Sequence, residues 1–432
     1  MNTRVSGRPL DRIHSVVKCS LVIGVSFGSS ACDRLLSVES GTQIIASQLT
    51  NPDQAQLLVN SAMSALECAM PYYVLAGGLI GNELADAALA NAMTDYDRRS
   101  SNAANSQYQF ITCQDAATAI GVYPPVSTAR WQADQVLQAL EGWSDAEVPN
   151  RLGLIATTAA YSGYSLVLLG EAFCSAAIDL GPELTKAQIF DLAEQRLTRA
   201  IDAAGTDNAR ASIRNMALVG RARVRLNLGG AKLPGAVADA QQVPAGFART
   251  TTHSSASPRR ENRVYVFNGR QRWVSVDGPY RNLTFNGVPD PRVRVVDAAA
   301  KGEDAVTPLW MQTKYPAAST PIPFARHAEA QLIIAEVVGG QQAVGIINAL
   351  HTAAALPPFN SSDPAAIRAQ VIDERKREFF LEGQHLGDIQ RYNLPLFPST
   401  GTPYPPKAGG VYGNQVCLPL PDVERKNNPN IH

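Results

Sequence analysis

The chain has 432 residues, of which 45% are hydrophobic, so it is long enough to bury one large core or two ordinary ones. Only 18% of its residues are charged, and 38 basic residues balance 38 acidic ones. Such a neutral chain has no electrostatic basis for binding nucleic acid or an anionic membrane surface, so we expect neither as a partner.

Residues 1–31 have the three-part order of an export signal. A basic stretch that ends at Lys18 is followed by the apolar run 19–28, and small residues then lead to Cys32. The apolar run is shorter than the roughly 20 residues that span a bilayer, which is typical of a signal peptide. A cysteine directly after the small residues resembles the lipobox of bacterial lipoproteins and predicts lipidation of Cys32. The alternative is plain secretion, with Cys32 incidental. We expect no later stretch of membrane-spanning length, so the lipid is the predicted anchor.

Four further cysteines follow, an even number that suits two disulfides in an exported protein: Cys68, Cys113, Cys174 and Cys417. More than one pairing is possible. We propose Cys68 with Cys113, which joins neighbouring segments, and Cys174 with Cys417, which ties the irregular tail to the helical body. The alternative is four buried free thiols. The sequence contains no C-x-x-C pair, so it gives no support for a zinc or redox site.

Residues 51–228 consist of one amphipathic segment after another. The clearest is 185–204, where Thr185 and Gln188 predict a capping box and apolar residues share one face. The amphipathic segments come in pairs, at 128–142 with 151–171, 185–204 with 208–228, and 323–338 with 341–355. Each pair buries its apolar face only by stacking on the next, which predicts a tetratricopeptide-like α-superhelix rather than a plain bundle.

Residues 244–322 interrupt this pattern. Pro, Gly, Asn, Thr and Arg are frequent there, and short β-type runs occur at 264–267 and 292–296. This composition predicts a loop-rich insertion with short strands, not a second compact domain. We therefore expect residues 32–432 to form a single, mainly α domain.

Motifs for catalysis and cofactor binding are nearly absent, and the histidines of the mature chain are not clustered, so we expect no cofactor and no metal. The densest charged segment is 374–391. Two acids of this segment could act as a glycosidase pair. Its charges, however, have partners of opposite sign three positions away: Glu374 with Arg377, Arg375 with Glu378, and Asp388 with Arg391. We interpret the segment as a structural network, predict no catalytic residue, and expect that the protein is not an enzyme.

The same segment carries a family resemblance. Residues 374–391, which read ERKREFFLEGQHLGDIQR, resemble the C-terminal signature of the SusD/RagB family. Residues 326–329 resemble the family's R-x-A-E helix, residues 32–39 resemble its mature start, and residues 418–430 resemble its terminal P-I-P and N-P-N motifs. These motifs occur in the family's order along the chain.

The resemblance implies a tetratricopeptide-like superhelix that is anchored by lipid to the outer membrane and faces the cell exterior. It implies capture of a nutrient polymer, either an oligosaccharide or a peptide, and delivery to a SusC-like TonB-dependent transporter as the partner. One alternative is a helical-repeat surface scaffold that binds protein partners only. A surface hydrolase is the third hypothesis.

The ligand site is predicted in the insertion, because sugars stack on aromatic faces and because loops on a rigid scaffold often carry binding groups. The candidate ligand residues are Trp273, Tyr280, Trp310 and Tyr315. The alternative is that these rings pack the insertion onto the helices. Trp131 and Trp143 lie at helical positions and are assigned to packing.

Overall fold

The computed structural model describes residues 51–88, 91–113, 120–405 and 408–431, all of which belong to one compact unit. The predicted signal peptide and the lipidation site at Cys32 lie outside the described residues. The helices within them are α1 (Ala55–Ile80), α2 (Asn91–Asp97), α3 (Ser106–Phe110), α4 (Tyr123–Gly142), α5 (Arg151–Ala172), α6 (Lys186–Ala204), α7 (Ala211–Leu228), α8 (Leu233–Ala240), α9 (Arg263–Tyr265), α10 (His327–Val338), α11 (Gly340–Ala353), α12 (Pro364–Glu378), α13 (His385–Tyr392) and α14 (Asp422–Asn427).

The strands are short: β1 (Leu84–Asp86), β2 (Ser175–Ala177), β3 (Glu183–Thr185), β4 (Ala248–Thr250), β5 (Val274–Val276), β6 (Thr284–Phe285), β7 (Val288–Pro289), β8 (Val295–Lys301), β9 (Pro308–Gln312) and β10 (Pro323–Arg326). They form antiparallel two-stranded sheets that pair β1 with β5, β4 with β10, β2 with β3, β6 with β7, and β8 with β9. The prediction of a mainly α chain with short strands is confirmed.

Successive helices from α4 to α8 pack on one another, and α1 packs against α4 and α5. Helix α10 continues the series by packing on α7, α8 and α11. The three predicted pairs correspond to α4 with α5, α6 with α7, and α10 with α11. Local signals fix the helix ends, since Thr185 and Gln188 form the expected capping box and Gly205 at φ 54° ends α6. The superhelical arrangement predicted from amphipathic pairing is therefore confirmed.

Two helical stretches, Pro52–Ile80 and Arg151–Ala172, are long and apolar enough to cross a membrane by length and composition alone. The expectation that no stretch beyond the signal reaches this length is therefore wrong. In both stretches 89% of the apolar window is buried inside the protein, as is usual for core helices. Small residues permit this close packing, because a Cβ at Gly163 of α5 would stand 2.6 Å from the Leu197 Cγ of α6.

The insertion 244–322 is closed at its base by the pairing of β4 with β10. Its most extended part is the hairpin β8–β9, in which Val295 lies opposite Gln312 and Asp297 lies opposite Trp310. The run 264–267, predicted as β-type, is helical instead. The cause is local: the Asn262 side chain accepts hydrogen bonds from the backbone N–H groups of the second and third residues after it and starts a helix there.

The structure joins Cys68 to Cys113 and Cys174 to Cys417, the same two pairs that the sequence analysis proposes. Backbone pairing accompanies the second bond, because Cys174 N–H donates to the Leu418 carbonyl at 2.9 Å and Leu418 N–H donates to a carbonyl of α5 at 2.8 Å. The irregular C-terminal tail is thus fixed to the end of helix α5.

Candidate functional site

The charged segment 374–391 comprises the end of helix α12, a reverse turn and helix α13, and many of its charged groups are buried. Arg375 is 4% exposed, and its guanidinium donates hydrogen bonds of 2.9 Å from both Nε and Nη2 to the Asp388 carboxylate. Arg391 donates to the same carboxylate at 2.7 Å. The pair of Asp388 with Arg391 that helical spacing predicts is therefore present. Arg375 binds the same carboxylate, so the three side chains form one cluster.

The other two predicted pairs are Glu374 with Arg377 and Arg375 with Glu378. Among the described residues these pairs do not form, and the side chains have partners from more distant parts of the chain instead. Glu374 accepts from Arg292 of the insertion at 2.6 Å and contacts His351 Nε2 of α11 at 2.7 Å. The reason is burial, since an enclosed carboxylate needs several close partners and neighbours on one exposed helix face supply only one. Burial opposes the charge on Glu374, but the hydrogen bonds from His351 and Arg292 hold its pKa below its usual value.

A second cluster surrounds Arg326, the arginine of the R-x-A-E motif. Its guanidinium hydrogen-bonds Glu378 and reaches Glu382 Oε1 at 2.9 Å, while Lys314 Nζ lies 2.6 Å from the same oxygen. Burial raises the pKa of Glu378, but Arg326 outweighs it and lowers that pKa below its usual value. Both acids are paired with bases, an arrangement that supports the structural interpretation of the segment.

Two of the predicted ligand residues are inaccessible. Tyr280 is 0% exposed and stacks on Phe380 at a centroid distance of 5.1 Å. Tyr315 is 2% exposed and donates its hydroxyl proton to the Leu381 carbonyl at 2.9 Å. These rings pack the insertion onto the turn after α12, so for both tyrosines the predicted ligand contact is wrong and the packing alternative holds.

The two predicted tryptophans are half-buried. Trp273 meets Phe267 edge to face at 4.9 Å, so one side of its ring belongs to the core of the insertion. Trp310 on β9 lies beneath the Arg281 guanidinium, whose central carbon stands 5.1 Å from the ring centroid. Both rings are partly buried against the core, and Trp310 differs from Trp273 in having a cation over its ring.

An exposed aromatic ring outside the insertion was missed by the sequence analysis. Phe397 in the C-terminal tail is 48% exposed, and its ring carbons lie 3.7 Å from the Cβ position of Gly278. Arg99 holds this part of the tail by donating to the Phe397 carbonyl at 3.0 Å. We define the aromatic strip as Trp310, Arg281 and Phe397, which are connected through one turn: Phe397 lies beside Gly278, and Arg281, three residues later, lies over Trp310. The sequence signal for Phe397 was a phenylalanine in a Pro-rich tail, where regular packing is interrupted.

Two further features bear on binding. Trp131, assigned to packing from its helical position, is 40% exposed and lines a cleft of about 510 Å³ together with Leu180. A larger cavity of about 540 Å³ lies between α10 and α12. In the part of the chain that the structure describes, no group of three or more His, Cys, Asp or Glu residues is placed to hold a metal ion.

Comparison with known proteins gives a family match over part of the chain and a shared fold over nearly all of it. The model of the SusD family matches residues 310–431, which include the whole charged segment 374–391. The search of curated proteins found no match.

Solved structures resemble the chain over nearly its full length. A SusD superfamily protein from Parabacteroides distasonis has 14% identity and a TM-score of 0.65, with 90% of this chain and 99% of that chain covered. A protein described as a laminarin-binding SusD-like protein has 15% identity and a TM-score of 0.65, with 89% and 99% covered. A SusD-like carbohydrate-binding protein from Bacteroides vulgatus has 16% identity and a TM-score of 0.62, with 88% and 97% covered. At these identities the likeness establishes the fold.

Proposed function

We propose that the chain is a SusD-like surface protein that binds a glycan during nutrient uptake. The observation that carries the proposal is the family match over residues 310–431 within a fold shared along almost the whole chain. Two structural relatives described as laminarin-binding and carbohydrate-binding support a carbohydrate as the ligand.

The proposal extends to location and partner. Lipidation at Cys32 would hold the protein on the outer membrane, facing the cell exterior, and a SusC-like TonB-dependent transporter would receive the ligand. Support for the anchor is the order of basic, apolar and small residues before Cys32. Co-purification of a large β-barrel protein from solubilised outer membrane is the expected result, whereas a soluble partner would favour the scaffold alternative.

We assign ligand binding to the aromatic strip. Sugar rings stack their C–H faces on aromatic rings and need nearby polar groups for their hydroxyls. Phe397 supplies an exposed ring, Trp310 a partly exposed one, and the Arg281 guanidinium lies against Trp310. Binding without catalysis is part of the proposal, because Glu378 and Glu382 are already paired with Arg326 and Lys314.

The test is glycan binding by the purified full-length protein, with laminarin and a panel of neutral and acidic polysaccharides as probes. Trp310→Ala and Phe397→Ala should each weaken binding by about tenfold while the helical circular dichroism stays unchanged. Trp131→Ala, an exposed tryptophan on the helical body, is the matched control. Loss of binding in the control alone would move the site to that helix, and no binding to any polysaccharide would refute the proposed function.

A further inference from the structure

A cleft of about 370 Å³ lies between the base of the β8–β9 hairpin and the end of helix α12. We call it the basic cleft. Its charged lining consists of four basic residues and two acidic ones: Arg292, Arg294, Lys314, Arg326, Glu378 and Glu382. Cations therefore outnumber carboxylates at a surface-accessible concavity of a chain whose overall charge is zero.

Both carboxylates of the basic cleft are paired with cations. Glu378 is hydrogen-bonded by Arg326 and also by Arg292 at 3.2 Å, and Glu382 is held by Lys314 at 2.6 Å and by Arg326 at 2.9 Å. Each of their four carboxylate oxygens has a cationic partner, so the two acids offset charge on Arg292, Lys314 and Arg326. The two acids neutralise cations on the inner wall of the cleft, whereas the cation at the outer edge of the cleft has no acidic partner there.

That outer cation is Arg294. It is exposed, and its Nε donates to the Pro291 carbonyl at 2.9 Å, which orients the guanidinium. Among the described residues its two terminal nitrogens have no hydrogen-bond or carboxylate partner. Lys314 uses two donor directions, towards Glu382 and the Phe380 carbonyl at 2.7 Å, and retains a third. Unpaired N–H donors of cationic side chains that face a cleft are complementary to an anion.

The basic cleft and Trp310 belong to the same hairpin but lie on opposite faces of it. The hairpin register places Asp297 opposite Trp310, and three residues further along the same ladder Thr313 N–H donates to the Arg294 carbonyl at 2.9 Å. Three residues of strand span about 10 Å, and because successive side chains alternate between the two faces, Arg294 projects from the face opposite to Trp310. The exposed Asp297 carboxylate lies on the Trp310 face, so the cations on the Arg294 face are better suited to an anionic group.

We propose that the basic cleft binds an anionic substituent, carboxylate or sulfate, of an acidic glycan. The inference rests on the proposed function and narrows its ligand class from glycans in general to acidic ones. Arg294 and Lys314 are the specificity-determining residues, and Arg326 with its two glutamates forms the fixed wall behind them.

The experiment measures binding of the full-length protein to matched probes. Oligogalacturonate is compared with the same oligosaccharide after methyl esterification, and sulfated with unsulfated laminarin, so that each pair differs only in charge. Arg294→Gln should weaken binding of the charged member roughly 10- to 100-fold and leave its neutral counterpart unchanged. Lys301→Gln removes an exposed cation at the far end of β8 and serves as the control, with binding expected to be unaltered.

The outcomes separate the inference from the function on which it rests. Preference for the charged member of either pair, lost in Arg294→Gln, supports the basic cleft, and the pair that responds identifies carboxylate or sulfate. Equal binding of charged and neutral members, or equal losses in Arg294→Gln and Lys301→Gln, overturns the inference but leaves glycan binding intact. Absence of binding to every probe overturns both.

Discussion

Replacing Arg375 by methionine removes the cation from a fully enclosed ion pair of the charged segment. Arg375 and Asp388 are each 4% exposed, and two hydrogen bonds of 2.9 Å join them. Breaking one side of such a pair leaves a buried charge, at a cost of about 3–5 kcal/mol in unfolding free energy. Because Arg391 remains 2.7 Å from the Asp388 carboxylate, we expect the lower end of that range, roughly 3 kcal/mol.

The assay is equilibrium unfolding of the purified full-length protein in guanidinium chloride, followed by helical circular dichroism. The double variant Arg375→Met/Asp388→Leu should be more stable than Arg375→Met, because it leaves no buried carboxylate without its partner. Arg425→Met is the control. Its pair with Glu183, at 2.7 Å, has side chains 43% and 28% exposed, so its loss should cost less than about 1 kcal/mol. Equal losses in Arg375→Met and Arg425→Met would refute the structural role of the buried pair.

Three further predictions concern pH, disulfides and helix packing. Burial lowers the pKa of His351, but Glu374 outweighs burial and raises that pKa above its unfolded-state value of 6.5. The stabilisation from the His351–Glu374 pair is therefore complete below pH 6.5 and is lost as the pH rises through the folded-state pKa. Unfolding measured at several pH values should show this loss of stability, and His351→Gln should abolish the pH dependence. Opening the Cys174–Cys417 bond, which closes a separation of 243 residues, should cost roughly 5 kcal/mol, and free thiols at these positions in exported protein, detected with a thiol reagent, would contradict the pairing. Gly163→Ala should destabilise by about 1–3 kcal/mol because its methyl group meets α6, whereas Gly142→Ala, with no atom within 4 Å, should not lower the thermal midpoint.

Features that depend on local spacing could be read from the sequence. The capping box at Thr185 and Gln188 and the paired amphipathic helices follow from residues a few positions apart, and the structure contains them. The family motifs could also be recognised from the sequence, because a contiguous segment such as 374–391 keeps its residue order whatever packs around it. The disulfide pairing proposed from the sequence is the one present in the structure, although nothing in the spacing of Cys174 and Cys417 required it.

Features that depend on distant neighbours were decided only by the tertiary structure. Glu374 pairs with Arg292 and His351 rather than with a neighbour on its own helix, because the insertion and α11 deliver closer partners to a buried carboxylate.

The exposure of aromatic rings was decided in the same way. Tyr280 and Trp310 belong to the same insertion, yet Tyr280 is buried against Phe380 while Trp310 remains partly accessible beside Arg281. Phe397 comes from the tail, more than a hundred positions along the chain from Gly278, and its ring lies 3.7 Å from where a Cβ at Gly278 would stand. The sequence specifies that a ring is apolar, but only the segments that fold against it determine whether it packs a core or meets a ligand.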